Sequence, residues 1–116
     1  MALSEGTTSM RDEVIVRLAE LEIDPAQLDG YKALLAWEME TSVELEQGVL
    51  MLQAVSIKGN PSQIRIFEVY ADQDAYEAHL ASPHFLKYKS LTSNMVRSLR
   101  LVETEPLMLC TKKQPD

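Results

Sequence analysis

The stretch Ile64–Tyr88, IRIFEVYADQDAYEAHLASPHFLKY, places a strand and two helix starts in direct succession and concentrates the polar and aromatic chemistry of the chain. Successive strand residues alternate sides, so Glu68 and Tyr70, two apart in IRIFEVYA, share one face. Asp72 supplies an N-cap for a short helix bearing Ala75, Tyr76, Ala78, His79 and Leu80. Ser82-Pro83 repeats the signal, a capping hydroxyl followed by a proline whose fixed φ suits the first helical turn. The spacing after it predicts a helix to about Val96 or Ser98 with Phe85, Tyr88, Leu91, Met95 and Val96 on one stripe and His84 at its inward edge. His79 and His84 are the only histidines of the chain. Both fall beside an acidic and aromatic strand, so the stretch reads as a site.

Working outward, Glu13 to Ile23 alternates as a strand buried mainly on one side, with Ile15, Ala19, Leu21 and Ile23 on one face and Val14, Val16, Leu18, Glu20 and Glu22 on the other. Asp24-Pro25, with Gln27 three residues after the cap, opens a helix to about Gln47, and Gly48 is expected to stop it in the left-handed conformation. Leu28, Tyr31, Leu34, Leu35, Met39 and Val43 form its stripe. Glu38 and Ser42 lie on the same side, placed either to line a cavity or to escape to the edge. Trp37 lies opposite, on the surface or at an interface. VLMLQAVSI, Val49 to Ile57, and QIRIFEVYA read as a hairpin across a five-residue turn, Lys58 to Ser62. LRLVETEPLML reads as the last strand, with Pro106 barred from a central ladder position.

The order strand, helix, strand, strand, helix, strand predicts an α+β, ferredoxin-like βαββαβ fold, a four-stranded antiparallel sheet with helices on one face. The strands are apolar on both faces, so the uncovered face predicts a homodimer closed sheet to sheet. At 116 residues the chain is long enough for one independent core. The expected limits are a flexible leader at 1–11, in which Met10 could be an alternative start, one domain at 12–112 and a tail at 113–116.

A net charge of −7 without a basic cluster excludes nucleic acid as the main partner. No segment approaches the roughly 18 apolar residues of a membrane span, and the N-terminus lacks the apolar core of a signal peptide, so a cytoplasmic protein without a membrane partner is expected. The single Cys110 cannot form an intrachain disulfide and reads as an ordinary strand residue. The candidate catalytic residues are His79, His84 and Glu68, and Tyr70, Tyr76, Phe85 and Tyr88 are the candidate pocket walls for a small-molecule substrate. Each has a packing alternative, a helix-start or core side chain satisfied by its neighbours. The two His, five residues apart across a Ser-Pro break, lack the spacing of a helical zinc site. There is no Gly-rich phosphate loop, so no metal, flavin or other cofactor is expected.

The run FEVYADQDAYEAHLASPHF, with E-x-Y-x-D, A-x-x-x-H-L and S-P-H-F, together with the helix exit Glu46-Gln47-Gly48-Val49-Leu50, resembles the antibiotic biosynthesis monooxygenase (ABM) domain, in particular its quinol monooxygenase branch. The resemblance spans about residues 13 to 109. It implies a dimeric α+β barrel with a pocket between helices and sheet, and oxidation of a quinol or small phenol by dioxygen without cofactor. It also implies two alternatives, an isomerase of a phosphorylated autoinducer-type sugar and a non-catalytic ligand-binding or stress-response module. The haem-degrading branch is disfavoured, because Lys87, Lys89 and Glu20 stand where its ligands would be sought and Tyr70 stands where it places Trp. In the oxidative reading a His takes the phenolic proton, Glu68 orients or polarises that His, and the aromatic side chains hold a flat ring.

Overall fold

The computed structural model describes residues 14–112; the leader, the alternative start and the tail expected from the sequence lie outside them. In chain order the elements are β1 (Ile15–Ile23), a 3-10 turn (Pro25–Gln27), α1 (Leu28–Leu45), β2 (Val49–Ile57), β3 (Asn60–Tyr70), α2 (Gln73–Leu80), α3 (Pro83–Thr92) and β4 (Val96–Glu103). The strands form one antiparallel sheet in the order β2-β3-β1-β4, the ferredoxin-like arrangement.

The three predicted caps form. Asp24 accepts from Ala26 N at 3.0 Å and from Gln27 Nε2 at 3.2 Å, and Pro25 holds the first turn. Asp72 Oδ1 accepts from Ala75 N at 2.8 Å. Ser82 Oγ accepts from Phe85 N at 3.3 Å and donates to His79 O at 2.7 Å, so one hydroxyl joins the end of α2 to the start of α3.

The alternation of β1 puts Ala19, Leu21 and Ile23 against Tyr31 and Leu35 of α1, Ile64 and Ile66 of β3, and Tyr88 of α3. Full burial of a side chain such as Ile23 contributes roughly 1.5–3 kcal/mol. The far sheet face, which Val16, Leu18, Phe67, Val69 and Val102 share by register, is crossed by an ion-paired row in which Glu20 meets Arg65 at 3.9 Å and Arg100 at 3.7 Å.

Several expectations are corrected. The buried stripe of α1 is Tyr31, Leu35, Glu38 and Ser42, whereas Val43 is half-exposed. Helix α1 stops at Leu45, and Gly48 has no left-handed backbone; its small size is needed because a Cβ there would collide with the Cβ of Ala75 in α2. Among the described residues the left-handed glycine is Gly59 (φ 84°), in a tight turn after which β3 begins at Asn60, three residues earlier than the five-residue turn implied.

Helix α3 ends at Thr92, where the hydroxyl bonds back to Tyr88 O at 2.8 Å and the poor helix formers Ser93 and Asn94 follow. Leu91 is therefore exposed and Val96 opens β4. Leu107 to Leu109 and Cys110 lie beyond the sheet and are exposed, so Cys110 is not a strand residue.

Candidate active site

Between the helices and the sheet lies a cavity of about 700 Å³. Glu68 and Tyr70 of β3, Tyr76 and His79 of α2, and Phe85 and Tyr88 of α3, six side chains singled out in the sequence, all line it. His84 is not among the lining residues. Apolar residues of all four strands and α1 complete the wall, and along β4 the half-exposed Leu99 and Leu101 leave it open.

His79, in the last turn of α2, is only 3% exposed, with the Tyr70 ring 5.4 Å away and the Phe85 ring 4.9 Å away between centroids. Its Nδ1 lies 2.9 Å from Glu46 Oε2, and His84 Nε2 lies 2.5 Å from the same oxygen. Its Nε2 faces Glu38 Oε1 at 3.4 Å, and Glu38 accepts the Ser42 hydroxyl at 2.8 Å. The expected pairing of Glu68 with a histidine is corrected. Glu68 Oε1 instead accepts the Tyr70 hydroxyl at 2.7 Å, and the carboxylates that reach His79 come from α1 and its exit.

Glu46 is the residue that sequence reasoning missed as a site member, although it stands in the helix exit quoted above. A signal was present: Glu38, Ser42 and Glu46 recur every four residues, the spacing of one helix face. Burial of the α1 face is what turns that pattern into chemistry. Glu46 has left the helix with φ −107° and ψ 107° while its N–H still bonds to Ser42 O, and the glycine at 48 lets α2 close in beneath it.

The environment sorts the titratable groups. Burial pushes the carboxyl of Glu38 above the ordinary carboxylate range, against the opposing hydrogen bond from Ser42 and the charge of His79. Burial does the same to Glu68, opposed by the Tyr70 bond. Burial also drives the phenols of Tyr70 and Tyr88 up and that of Tyr31 to about 12, so at neutral pH they are donors. The Tyr31 and Tyr88 hydroxyls meet at 2.6 Å. Tyr76 packs edge-on against Tyr70 beneath the Arg17 guanidinium, 4.2 Å from its ring centre.

Glu46, His79 and His84 also bring three potential ligand atoms within 4.8 Å of one another. The sequence spacing of the two His therefore understated their convergence, because the Ser82 junction folds α3 back beside α2. The cavity as a whole offers an apolar, aromatic slot with one imidazole, two carboxyls and, toward α3 and β4, the basic side chains of Lys89 and Arg97 in its wall, an arrangement suited to a flat ring bearing an acidic hydroxyl.

Comparison with known proteins gives the same fold. The family profile described as antibiotic biosynthesis monooxygenase matches residues 14–91. A crystal structure from Bacteroides thetaiotaomicron, assigned by name to the antibiotic biosynthesis monooxygenases, is 44% identical, with a TM-score of 0.85 over 90% of this chain and 99% of that one. A protein from Lactobacillus acidophilus, named as a monooxygenase, is 30% identical, with a TM-score of 0.76 over 78% of this chain and 43% of that one. A protein from Nitrosomonas europaea shares the fold at 16% identity, with a TM-score of 0.77 over 82% of this chain and 91% of that one. Comparison with curated proteins gives no match.

The position of Glu38 makes a stability prediction. A carboxyl whose folded-state pKa is raised contributes stability at low pH that is lost as pH rises through that folded value. Glu38→Gln keeps an oxygen for Ser42 and removes the buried charge. Its urea midpoint should exceed the wild-type midpoint at pH 8, and the gap should close as pH falls toward the ordinary carboxylate range. A gap equal at both ends of the titration would contradict the assignment.

Proposed function

Because the chain belongs to the antibiotic biosynthesis monooxygenase family, we propose that it oxidises a quinol or small phenolic compound with dioxygen, without cofactor, in the cavity between helices and sheet. The observation that carries this reading is His79: a nearly fully buried imidazole on the cavity wall, flanked by aromatic rings and backed by a carboxylate. A neutral imidazole is the natural base at physiological pH.

His79 takes a hydroxyl proton from the quinol. The resulting anion passes one electron to dioxygen, and the two radicals recombine to form a ring-bound peroxide anion. His79 returns its proton to the outer peroxide oxygen, the O–O bond breaks, and the ring proton lost as the carbonyl forms joins the departing oxygen, which leaves as water. The balance is quinol plus dioxygen giving hydroxyquinone plus water, with every electron supplied by the substrate. The phenols of Tyr70 and Tyr88, held protonated, line the same slot as Phe85. The isomerase alternative needs a site for phosphate, and Lys89 of α3 and Arg97 of β4, which line the cavity, are the side chains that would have to hold it.

Oxygen uptake with a panel of quinols tests the reading. His79→Ala should lower turnover by roughly two to four orders of magnitude while the fold persists. Unchanged turnover in that variant, or no uptake by wild type with any quinol, would overturn it.

The same reading includes a homodimer. On the sheet face opposite the helices Val16 and Val69 are buried within the chain, but Val55, 60% exposed, remains open, and Leu107 and Met108, 84% and 72% exposed, extend the apolar surface beyond β4. Sedimentation at micromolar concentration should give twice the chain mass of 13.1 kDa. A stable monomer would exclude the pairing.

A further inference from the structure

Glu46 is not among the residues lining the cavity, yet the base proposed above leans on it. One oxygen, Oε2, faces two rings: His79 Nδ1 at 2.9 Å and His84 Nε2 at 2.5 Å. A carboxylate has lone pairs and no proton to give, so each ring must present an N–H to it. For neutral His79 this places the proton on Nδ1 and leaves Nε2 with a lone pair.

The competing tautomer would donate from Nε2 to Glu38. That contact, at 3.4 Å, lies outside the usual 2.7–3.2 Å of an N–H···O bond, and the Glu38 oxygen already accepts the Ser42 hydroxyl at 2.8 Å. The distances decide for Nδ1–H. Since Glu38 is itself a cavity residue, the bare Nε2 is on the side from which a substrate hydroxyl approaches.

The same three residues could be read as a cation site. Donors bound tetrahedrally at the usual zinc distances of about 2.0–2.1 Å stand about 3.3 Å apart. Here the carboxylate oxygen is 2.5 and 2.9 Å from the two nitrogens, the separations of shared protons.

We propose that Glu46 is a positioning residue: it holds His79 in the Nδ1–H tautomer so that Nε2 is the atom that takes the substrate proton, and His84 locks Glu46 in place from behind. This rests on the reading of His79 as the base. The substrate proton moves to Nε2, the Nδ1 proton stays on the ring, and the imidazolium charge is held against the Glu46 carboxylate until the proton returns to the departing oxygen. His84, 10% exposed in its side chain, keeps the Glu46 carboxylate, 16% exposed, from turning to water. His84 thus acts through Glu46 rather than on substrate.

Ring-nitrogen NMR of 15N-labelled protein, in the pH range where the imidazoles are neutral, reads the tautomer without any substrate. Wild type should show His79 with Nδ1 protonated and Nε2 bare. Glu46→Gln should shift His79 toward the Nε2–H form and lower kcat on a quinol by at least about tenfold, with KM within about twofold. Glu46→Asp, which keeps the charge but withdraws it by one methylene, should fall between the two. An Nε2–H His79 in wild type overturns the proposal, whether or not the variants fold. So does a Gln variant with unchanged tautomer and kcat. One-to-one binding of Zn²⁺ to wild type by calorimetry, lost in Glu46→Gln, would overturn it in favour of a cation site. Because the wild-type tautomer is read without turnover, failure of the monooxygenase reading and failure of this one are separate results.

Discussion

A buried imidazole and a buried carboxyl are each costly to remove from water, and the cost is borne only where each has a partner. The row Ser42, Glu38, His79, Glu46, His84 is such an arrangement, and the helical half of the molecule is built around it. It draws on the face and exit of α1, the last turn of α2 and the first turn of α3. Removing a group that accepts a hydrogen bond leaves the next buried donor unsatisfied, typically a loss of about 1–3 kcal/mol. The local devices serve this alignment. Ser82 spans the α2–α3 junction with one hydroxyl, and the missing Cβ of Gly48 lets α2 approach the α1 exit.

The sheet supplies what the row cannot, an apolar floor. Ala19, Leu21 and Ile66 set side chains under the cavity by simple strand alternation, and Glu68 joins them with its carboxyl accepting the Tyr70 hydroxyl. Chemistry through a radical pair needs water kept away, and the aromatic wall of Tyr70, Phe85 and Tyr88 is suited to that task. The exposed Leu99 and Leu101 mark the side by which a flat molecule could enter.

Much of this was legible in the residues. The caps at Asp24, Asp72 and Ser82 act locally, through a side chain and the backbone a few residues on, and each forms where the pattern placed it. The period-two pattern of β1 and β3 needs only one buried face, and it put Glu68 and Tyr70 on the cavity side. What could not be read depends on tertiary contact. Val96 fits a helical stripe as well as a strand, and the break at Thr92 is decided by a side-chain bond to Tyr88 O. Gly48 looked like a left-handed stop because that is the usual reason for a glycine after a helix; its reason here is Ala75, distant in sequence. Glu46 and His84 meet across 38 positions, so only the folded chain reveals that His84 faces a carboxylate rather than the cavity.

The central claim is that dioxygen and substrate exchange electrons directly in this cavity, with protein side chains moving only protons. A single turnover of a quinol under 18O-labelled dioxygen, by protein freed of metals with a chelator and given no flavin, tests it most directly. The account predicts a hydroxyquinone carrying one labelled oxygen and labelled water as the other product. Unlabelled hydroxyquinone, with its new oxygen drawn from solvent, or turnover that appears only when a metal or flavin is added, would contradict it.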